Sequence, residues 1–164
     1  MTKTLTAIFE TRKAFETALD KIIRLGITES QIGVVMSDQT HGKSFKLDNH
    51  SKVDQVAAAG ATIGGILGGI MAAVAGAGSL IIPGLNLVVV GSVVSGLAGL
   101  GAGAAAGGLA GGLIGLGIPE HEAKLYEGSL NTGHILLAIE AIDHKQAKQV
   151  SEVLKNTEAY NIAA

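Results

Sequence analysis

Residues 55–119 read QVAAAGATIGGILGGIMAAVAGAGSLIIPGLNLVVVGSVVSGLAGLGAGAAAGGLAGGLIGLGIP, and this stretch decides the fold. Its 65 residues include no Asp, Glu, Lys, Arg or His, and they hold 19 of the chain's 24 glycines. Glycine costs a water-exposed helix about 1 kcal/mol per residue relative to alanine. We therefore expect an environment that compensates: either lipid, which enforces helix because unpaired peptide groups are costly there, or the dry interior of an oligomer.

Small residues recur every four positions in this uncharged block. The first stripe is Gly60, Gly64, Gly68, Ala72 and Gly76, and the second is Gly91, Ser95, Gly99, Gly103, Gly107, Gly111 and Gly115. Residues four apart share a helix face, so each stripe predicts a groove, a glycine zipper, that lets backbones approach closely. Leu, Ile and Val fill the positions between, which a flexible Gly/Ala linker would not need. The residues expected to pack helices and to form the oligomer are Gly60, Gly64, Gly68, Gly76, Gly91, Gly99, Gly103, Gly107, Gly111 and Gly115.

One internal breaker divides the block into two arms. Pro83 and Gly84 are the predicted hairpin tip, and the arms run over about residues 55–82 and 85–118. Fully helical arms would be about 42 and 51 Å long, against a hydrocarbon thickness near 30 Å. Each arm is therefore long enough to span a membrane. The tip is itself apolar and uncharged, so a re-entrant or monotopic hairpin is a further possibility.

The segments that flank the block alternate between strand and helix patterns. Apolar residues predict strands at 2–9, 32–36, 134–140 and 159–162, and helices at 11–25, 120–130 and from Asp143 onward. With residues 37–132 removed, the order is β-α-β-β-α-β, the ferredoxin-like split βαβ arrangement. The sequence thus predicts an α+β fold with a long Gly/Ala-rich helical hairpin inserted between the second and third strands.

The predicted organisation has four segments. Residues 1–37 form the first half of the ferredoxin-like domain, 38–54 a polar connector, 55–118 the glycine-zipper hairpin and 119–164 the second half. Lys43, Lys46 and Lys52 flank the base of the hairpin and no charge flanks its tip, which favours a cytoplasmic base.

Composition restricts the class of protein. The net charge of −2 argues against nucleic-acid binding by bulk electrostatics. Aromatic residues make up only 3% of the chain. This argues against the hypothesis of a simple two-span membrane protein, since such proteins usually carry aromatic anchors. No cysteine is present, which fits a reducing compartment, and residues 1–13 lack the long apolar region of a signal peptide. We expect the soluble parts to lie in the cytoplasm.

No motif indicates catalysis or a cofactor. Gly101-Ala-Gly103-Ala-Ala-Ala106 matches a dinucleotide fingerprint, but no predicted strand precedes it and a Gly/Ala-rich sequence produces such matches by chance. The five histidines lack metal-binding spacing, and Ser37, Asp38 and His41 lie in a loop without a nucleophile elbow. We predict no catalytic residue, no metal, no cofactor and no small-molecule substrate.

Motifs on both sides of the block resemble one known family. They are Gly117-Ile118-Pro119 followed by Ala123, Tyr126, Gly133 and the strand 135–139, with Ala14, Leu19, Leu25-Gly26 and the strand 32–35 in the amino-terminal half. The chain resembles, over nearly its whole length, the bacterial general-stress and low-temperature-induced protein family, which joins an α/β half to a glycine-rich hydrophobic segment. The resemblance implies a stress-linked protein of the bacterial cytoplasm, associated with the inner membrane, and no particular mechanism.

Two functional hypotheses follow. The first is a non-enzymatic membrane-associated protein whose glycine-zipper helices insert and form a homo-oligomer. The alternative is a soluble self-assembling particle with the hairpins packed in its interior. An oligomeric pore would need a polar lumen, for which Thr62, Ser79, Asn86, Ser92 and Ser95 offer little.

Overall fold

The computed structural model describes residues 3–37, 39–40, 69–70, 80–82, 87–91, 108, 110–111, 113–114 and 118–163. The predicted α+β class is confirmed. The elements are β1 (Lys3–Phe9), α1 (Arg12–Arg24), a 3-10 turn (Glu29–Gln31), β2 (Ile32–Ser37), β3 (Leu80–Ile82), β4 (Leu87–Gly91), α2 (Glu120–Asn131), β5 (Ile135–Ala141), α3 (His144–Lys155) and β6 (Ala159–Ala163). The helices and strands predicted outside the uncharged block are present, with ends that differ by a few residues.

The described strands form one sheet in the order β3-β4-β2-β5-β1-β6, and all neighbours are antiparallel. Strand β5 lies between β2 and β1, with Val34 opposite Leu137 and Leu5 opposite Ile139. The chain therefore leaves β2 and returns in β5 as its direct neighbour. Everything between these two strands is an excursion from one position in the sheet.

Local signals in the sequence set the ends of α1 and α3. The hydroxyl of Thr11 accepts a hydrogen bond from the backbone N–H of Ala14, and the carboxylate of Asp143 accepts one from the N–H of Gln146 at 2.7 Å. Both are N-caps, which satisfy donors that have no partner inside the helix. The Gln146 side-chain oxygen accepts a hydrogen bond from the N–H of Ile142, so the start of this helix is a variant of the capping box.

The first core lies between one sheet face and the helices α1 and α3. Alternate residues of two strands, which share one face of the sheet, are buried here: Leu5, Ala7 and Phe9 of β1, and Ile135, Leu137 and Ile139 of β5. Helices contribute their apolar faces, and the rings of Phe9 and Phe15 meet edge-on with centroids 6.1 Å apart. Full burial of each large apolar side chain contributes about 1.5–3 kcal/mol, so this layer supplies much of the stability.

The opposite sheet face carries a second core under α2. Ile8, Val35 and Leu136 of the strands pack there with Tyr126 and Leu130 of the helix. Ala110 and Leu113, from the end of the uncharged block, are buried in the same cluster. The sheet is therefore covered on both faces, and part of the block folds back onto its own domain.

The helical prediction is wrong at residues 80–82 and 87–91, which are strands β3 and β4. Val35 lies opposite Val89 in β2 and β4, and Leu80 lies opposite Val89 in β3 and β4. The physical reason is the run Leu87-Val-Val-Val90, since β-branched residues are stiff in a helix and pack well on a pleated sheet. Val88 and Val90 enter the first core and Val89 the second, as the alternation of a strand requires.

The remaining parts of the predicted hairpin lie outside the described residues, and these include the tip, Pro83 and Gly84. The tip nevertheless falls between two described strands that pair with each other, with Ile82 opposite Leu87. Among the residues that the structure describes, no helix combines the length and the apolar character needed to cross a bilayer.

Candidate functional site where the uncharged block meets the sheet

The predicted zipper residues are described at only two positions. Gly91 ends β4, and Gly111 is half-buried and helical. The others fall outside the described residues: Gly60, Gly64, Gly68, Gly76, Gly99, Gly103, Gly107 and Gly115. Their role in helix packing and oligomerisation stays a prediction.

Gly91 is required by the sheet rather than by a helical stripe. Its φ is +81°, in the left-handed region, and a β-carbon there would overlap the backbone carbonyl of Ile32 on the neighbouring strand β2. Only glycine combines that φ with so close an approach of two backbones. The prediction that Gly91 belongs to a helical stripe is therefore wrong, because β4 ends against β2 at this residue.

Gly111 lies in a helical stretch that docks on the second sheet face. Ala110 and Leu113 are buried against the sheet, whereas Ile114 is 41% exposed. Gly111 lies between these positions in sequence and is half-buried. The end of the second arm thus has one face on its own domain, and the helix keeps another face open to a neighbour.

The first arm also contacts the domain. Ile70 is buried in the first core, and a β-carbon on Gly69 would overlap the carboxylate of Glu29 in the 3-10 turn. Ile70 belongs to the predicted first arm, and the sequence pattern did not indicate this contact. Nothing in the pattern of the block distinguishes an apolar residue that packs on the sheet from one that packs on another helix.

A buried threonine joins the exit of the insert to its return. The hydroxyl of Thr40 donates to the backbone carbonyl of Gly133 at 3.1 Å, and its oxygen lies 2.8 Å from the hydroxyl of Ser37. The Thr40 N–H donates to the same Ser37 hydroxyl at 3.2 Å. Sequence reasoning assigned Thr40 to a polar connector, but it is buried and fixes the two ends of the excursion together.

Tyr126 makes the second connection between the insert and the sheet. This fully buried side chain donates to the backbone carbonyl of Asn161 at 3.1 Å, and its hydroxyl lies 2.6 Å from that of Thr6. Burial raises the pKa of the Tyr126 phenol, Glu122 adds to the rise, and the hydrogen bond from Thr6 opposes it. The neutral phenol is therefore the form that holds α2 to β1 and β6.

Asn161 accepts that hydrogen bond from an irregular edge strand. Its φ is +46°, and the pairing of β6 with β1 shifts register between Thr6 and Ile8. A bulge at a sheet edge turns the strand away from further pairing. Tyr126 therefore supports the bulged geometry of β6.

The described residues offer little for chemistry. No three His, Cys, Asp or Glu side chains within that part of the chain are placed to hold a metal ion. His121, His134 and His144 lie on or beside three different elements, while His41 and His50 fall outside the described residues. The described part of the block makes structural contacts, through Gly91, Gly69 and Leu113.

No family model, curated protein or solved structure matches the chain. The resemblance to the bacterial general-stress and low-temperature-induced family therefore stays a prediction.

Proposed function

We propose that this protein is a non-enzymatic, stress-linked, membrane-associated protein that forms a homo-oligomer through its glycine-zipper segments. The supporting features are an uncharged block of 65 residues and small residues spaced at four. Small-xxx-small stripes stabilise helix association in lipid, where the hydrophobic effect does not drive helices together. The proposal places the α/β domain in the bacterial cytoplasm, at the inner membrane.

We further propose that the domain is ferredoxin-like and that the insert lies between its second and third strands. The order β6-β1-β5-β2, with α1 and α3 on one face, supports this arrangement. Strands β2 and β5 are adjacent, so an insert can leave and return at one place. The pair β3-β4 and the helix α2 are then parts of the insert that extend the sheet and cover its second face.

One observation supports insertion of the arms from one side of the membrane: β4 pairs with β2 along Gly33 to Ser37. The remaining parts of the two arms, residues 55–79 and 92–118, are therefore each connected at both ends to the same α/β domain. These parts hold 25 and 27 uncharged residues, whereas crossing a membrane and returning needs about 40. Re-entrant or monotopic insertion of each arm fits this length, and a spanning hairpin does not.

Vesicle flotation and native electrophoresis test this proposal. Gly103→Leu and Gly107→Leu place bulky side chains in the second stripe, and Ala105→Leu adds the same side chain about 200° around the helix from Gly103. We expect the glycine variants to reduce oligomer size, Ala105→Leu to keep it, and all three to retain the α/β circular-dichroism signal. An unchanged oligomer in both glycine variants would contradict the proposal.

Insertion from one side has its own test. Single cysteines introduced at Ser79 and Ser92, in a chain without native cysteine, should both react with a membrane-impermeant reagent added from the side that carries the α/β domain. Labelling from the opposite side would show that the arms span the membrane.

A second candidate is a soluble self-assembling particle in whose interior the arms pack. The docking of Leu113 and Ile70 on their own domain favours it, because it shows that apolar residues of the block can be buried against protein. Sedimentation without detergent separates the two candidates. Large soluble particles support the second, and recovery with the membrane fraction supports the first.

A further inference from the structure

An open groove lies between α1 and the turn that follows α3. Its volume is about 550 Å³, and Lys13, Lys21, Lys155 and Glu158 are its charged lining residues. The lining residues thus carry three ammonium groups and one carboxylate. The buried Ala14 also lines the groove, and its small side chain leaves room there.

Ion pairing on α1 leaves two of these lysines without a carboxylate. Arg12 pairs with Glu16 at 2.6 Å and Arg24 with Asp20 at 2.9 Å, each pair one turn apart. Both acidic residues of the helix are therefore paired with an arginine one turn away. Lys13 and Lys21 lie two turns apart on the groove face and make no salt bridge within the described part of the chain.

The other wall ends in a capped helix terminus. The side-chain amide of Asn156 donates to the carbonyl of Glu152, and the hydroxyl of Thr157 donates to the carbonyl of Leu154 at 2.8 Å. These bonds satisfy carbonyl groups whose partial negative charge would oppose an anion. The Thr17 hydroxyl is likewise used, since it donates to the carbonyl of Lys13.

We propose that this groove binds a multiply charged phosphate group, through Lys13, Lys21 and Lys155. Within the described part of the chain, the three ammonium groups are the strong side-chain donors of the groove that make no salt bridge, and lysine binds phosphate as a point charge. The chain as a whole is acidic, with a net charge of −2, so the cationic groove is a local feature and not a result of overall charge. The inference stands independently of the proposed membrane function.

Binding of inorganic tripolyphosphate to the full chain, measured by isothermal titration calorimetry at low salt, tests the site. The variant Lys13→Gln/Lys21→Gln/Lys155→Gln should bind at least about tenfold more weakly, since three charge-assisted contacts are lost. The control Lys3→Gln/Lys145→Gln/Lys148→Gln removes the same charge from exposed positions that do not line the groove and should change affinity less than about twofold. Lys21→Gln alone should give an intermediate loss.

A second experiment identifies the source of the phosphate. Phosphatidylcholine vesicles are compared with and without phosphatidic acid. The groove is assigned to a lipid headgroup if two results are found together. The parent chain does not bind tripolyphosphate, and only the groove variant loses the binding to vesicles that depends on phosphatidic acid. Tripolyphosphate binding that only the groove variant loses assigns it to a soluble phosphate compound. Equal behaviour of groove and control variants toward both probes would overturn the proposal, and oligomer size should not change in either variant.

Discussion

The hydroxyl groups of Thr6 and Tyr126 lie 2.6 Å apart, although 120 positions separate the two residues in the chain. Tyr126 donates its proton to the carbonyl of Asn161, so Thr6 is the donor in the shorter contact. One buried phenol thus links the first strand, the last strand and the helix with which the insert returns. Its hydrogen bonds matter because a buried polar group without a partner is costly.

Tyr126→Phe should therefore lower the free energy of unfolding by about 1–3 kcal/mol, because it leaves the Asn161 carbonyl and the Thr6 hydroxyl without their partner. Urea unfolding followed by circular dichroism measures the change. Tyr160→Phe is the matched control, since Tyr160 is 50% exposed, and should change stability by no more than about 0.5 kcal/mol. Equal effects of the two substitutions would show that the buried contacts contribute nothing specific.

Alkaline pH should destabilise the protein through the same residue. Burial raises the Tyr126 pKa above its ordinary value, so the folded state holds the proton more tightly than the unfolded state. The associated stability is fully present below about pH 10 and is lost as the pH rises through the raised pKa of the folded state. Unfolding free energies measured from about pH 9 to 11 should fall less steeply in Tyr126→Phe than in the parent chain. Parallel curves would contradict this assignment.

Gly91→Ala should destabilise the sheet edge. The new methyl group would meet the Ile32 carbonyl, and a left-handed φ adds about 1–2 kcal/mol for a residue with a side chain. We expect a loss of at least about 2 kcal/mol in thermal or urea unfolding. Gly26→Ala is the control, since Gly26 has a similar φ of +86° but open space around the new atom, and should cost about 1 kcal/mol. A Gly91→Ala loss no greater than that of Gly26→Ala would contradict the close approach.

Leu113→Ala tests whether the end of the uncharged block is part of the folded domain. Leu113 is 1% exposed in the second core, so truncation should cost about 2–4 kcal/mol through lost burial and the cavity left behind. Its neighbour Ile114 is 41% exposed, and Ile114→Ala should cost less than about 1 kcal/mol. Comparable losses would mean that the block does not dock through one face.

The flanking helices and strands could be predicted because their signals are local. Thr11 and Asp143 cap helices within three residues of themselves, and the alternation at Leu5, Ala7 and Phe9 is visible within one strand. These features hold whatever the rest of the chain does. The α+β class followed from their order.

The candidate site was predicted less well because its contacts are distant in sequence. Gly91 fits a four-residue stripe, but the carbonyl that demands a glycine there belongs to Ile32. Thr40 has the composition of a connector, but its partner is Gly133. A periodic pattern records that a residue must be small or apolar, and it does not record which surface the residue meets.

The sequence by itself determined that the flanking segments form an α+β domain and that an uncharged, glycine-rich block interrupts it, because hydrophobic period and helix caps are properties of neighbouring residues. Only the tertiary structure decided that the middle of the block, Leu87–Gly91, becomes a strand of the sheet and that Ala110 and Leu113 cover its second face. The reason is that β-pairing and burial are energies of contact between distant segments, and the neighbouring strand β2 supplies partners that the block does not contain.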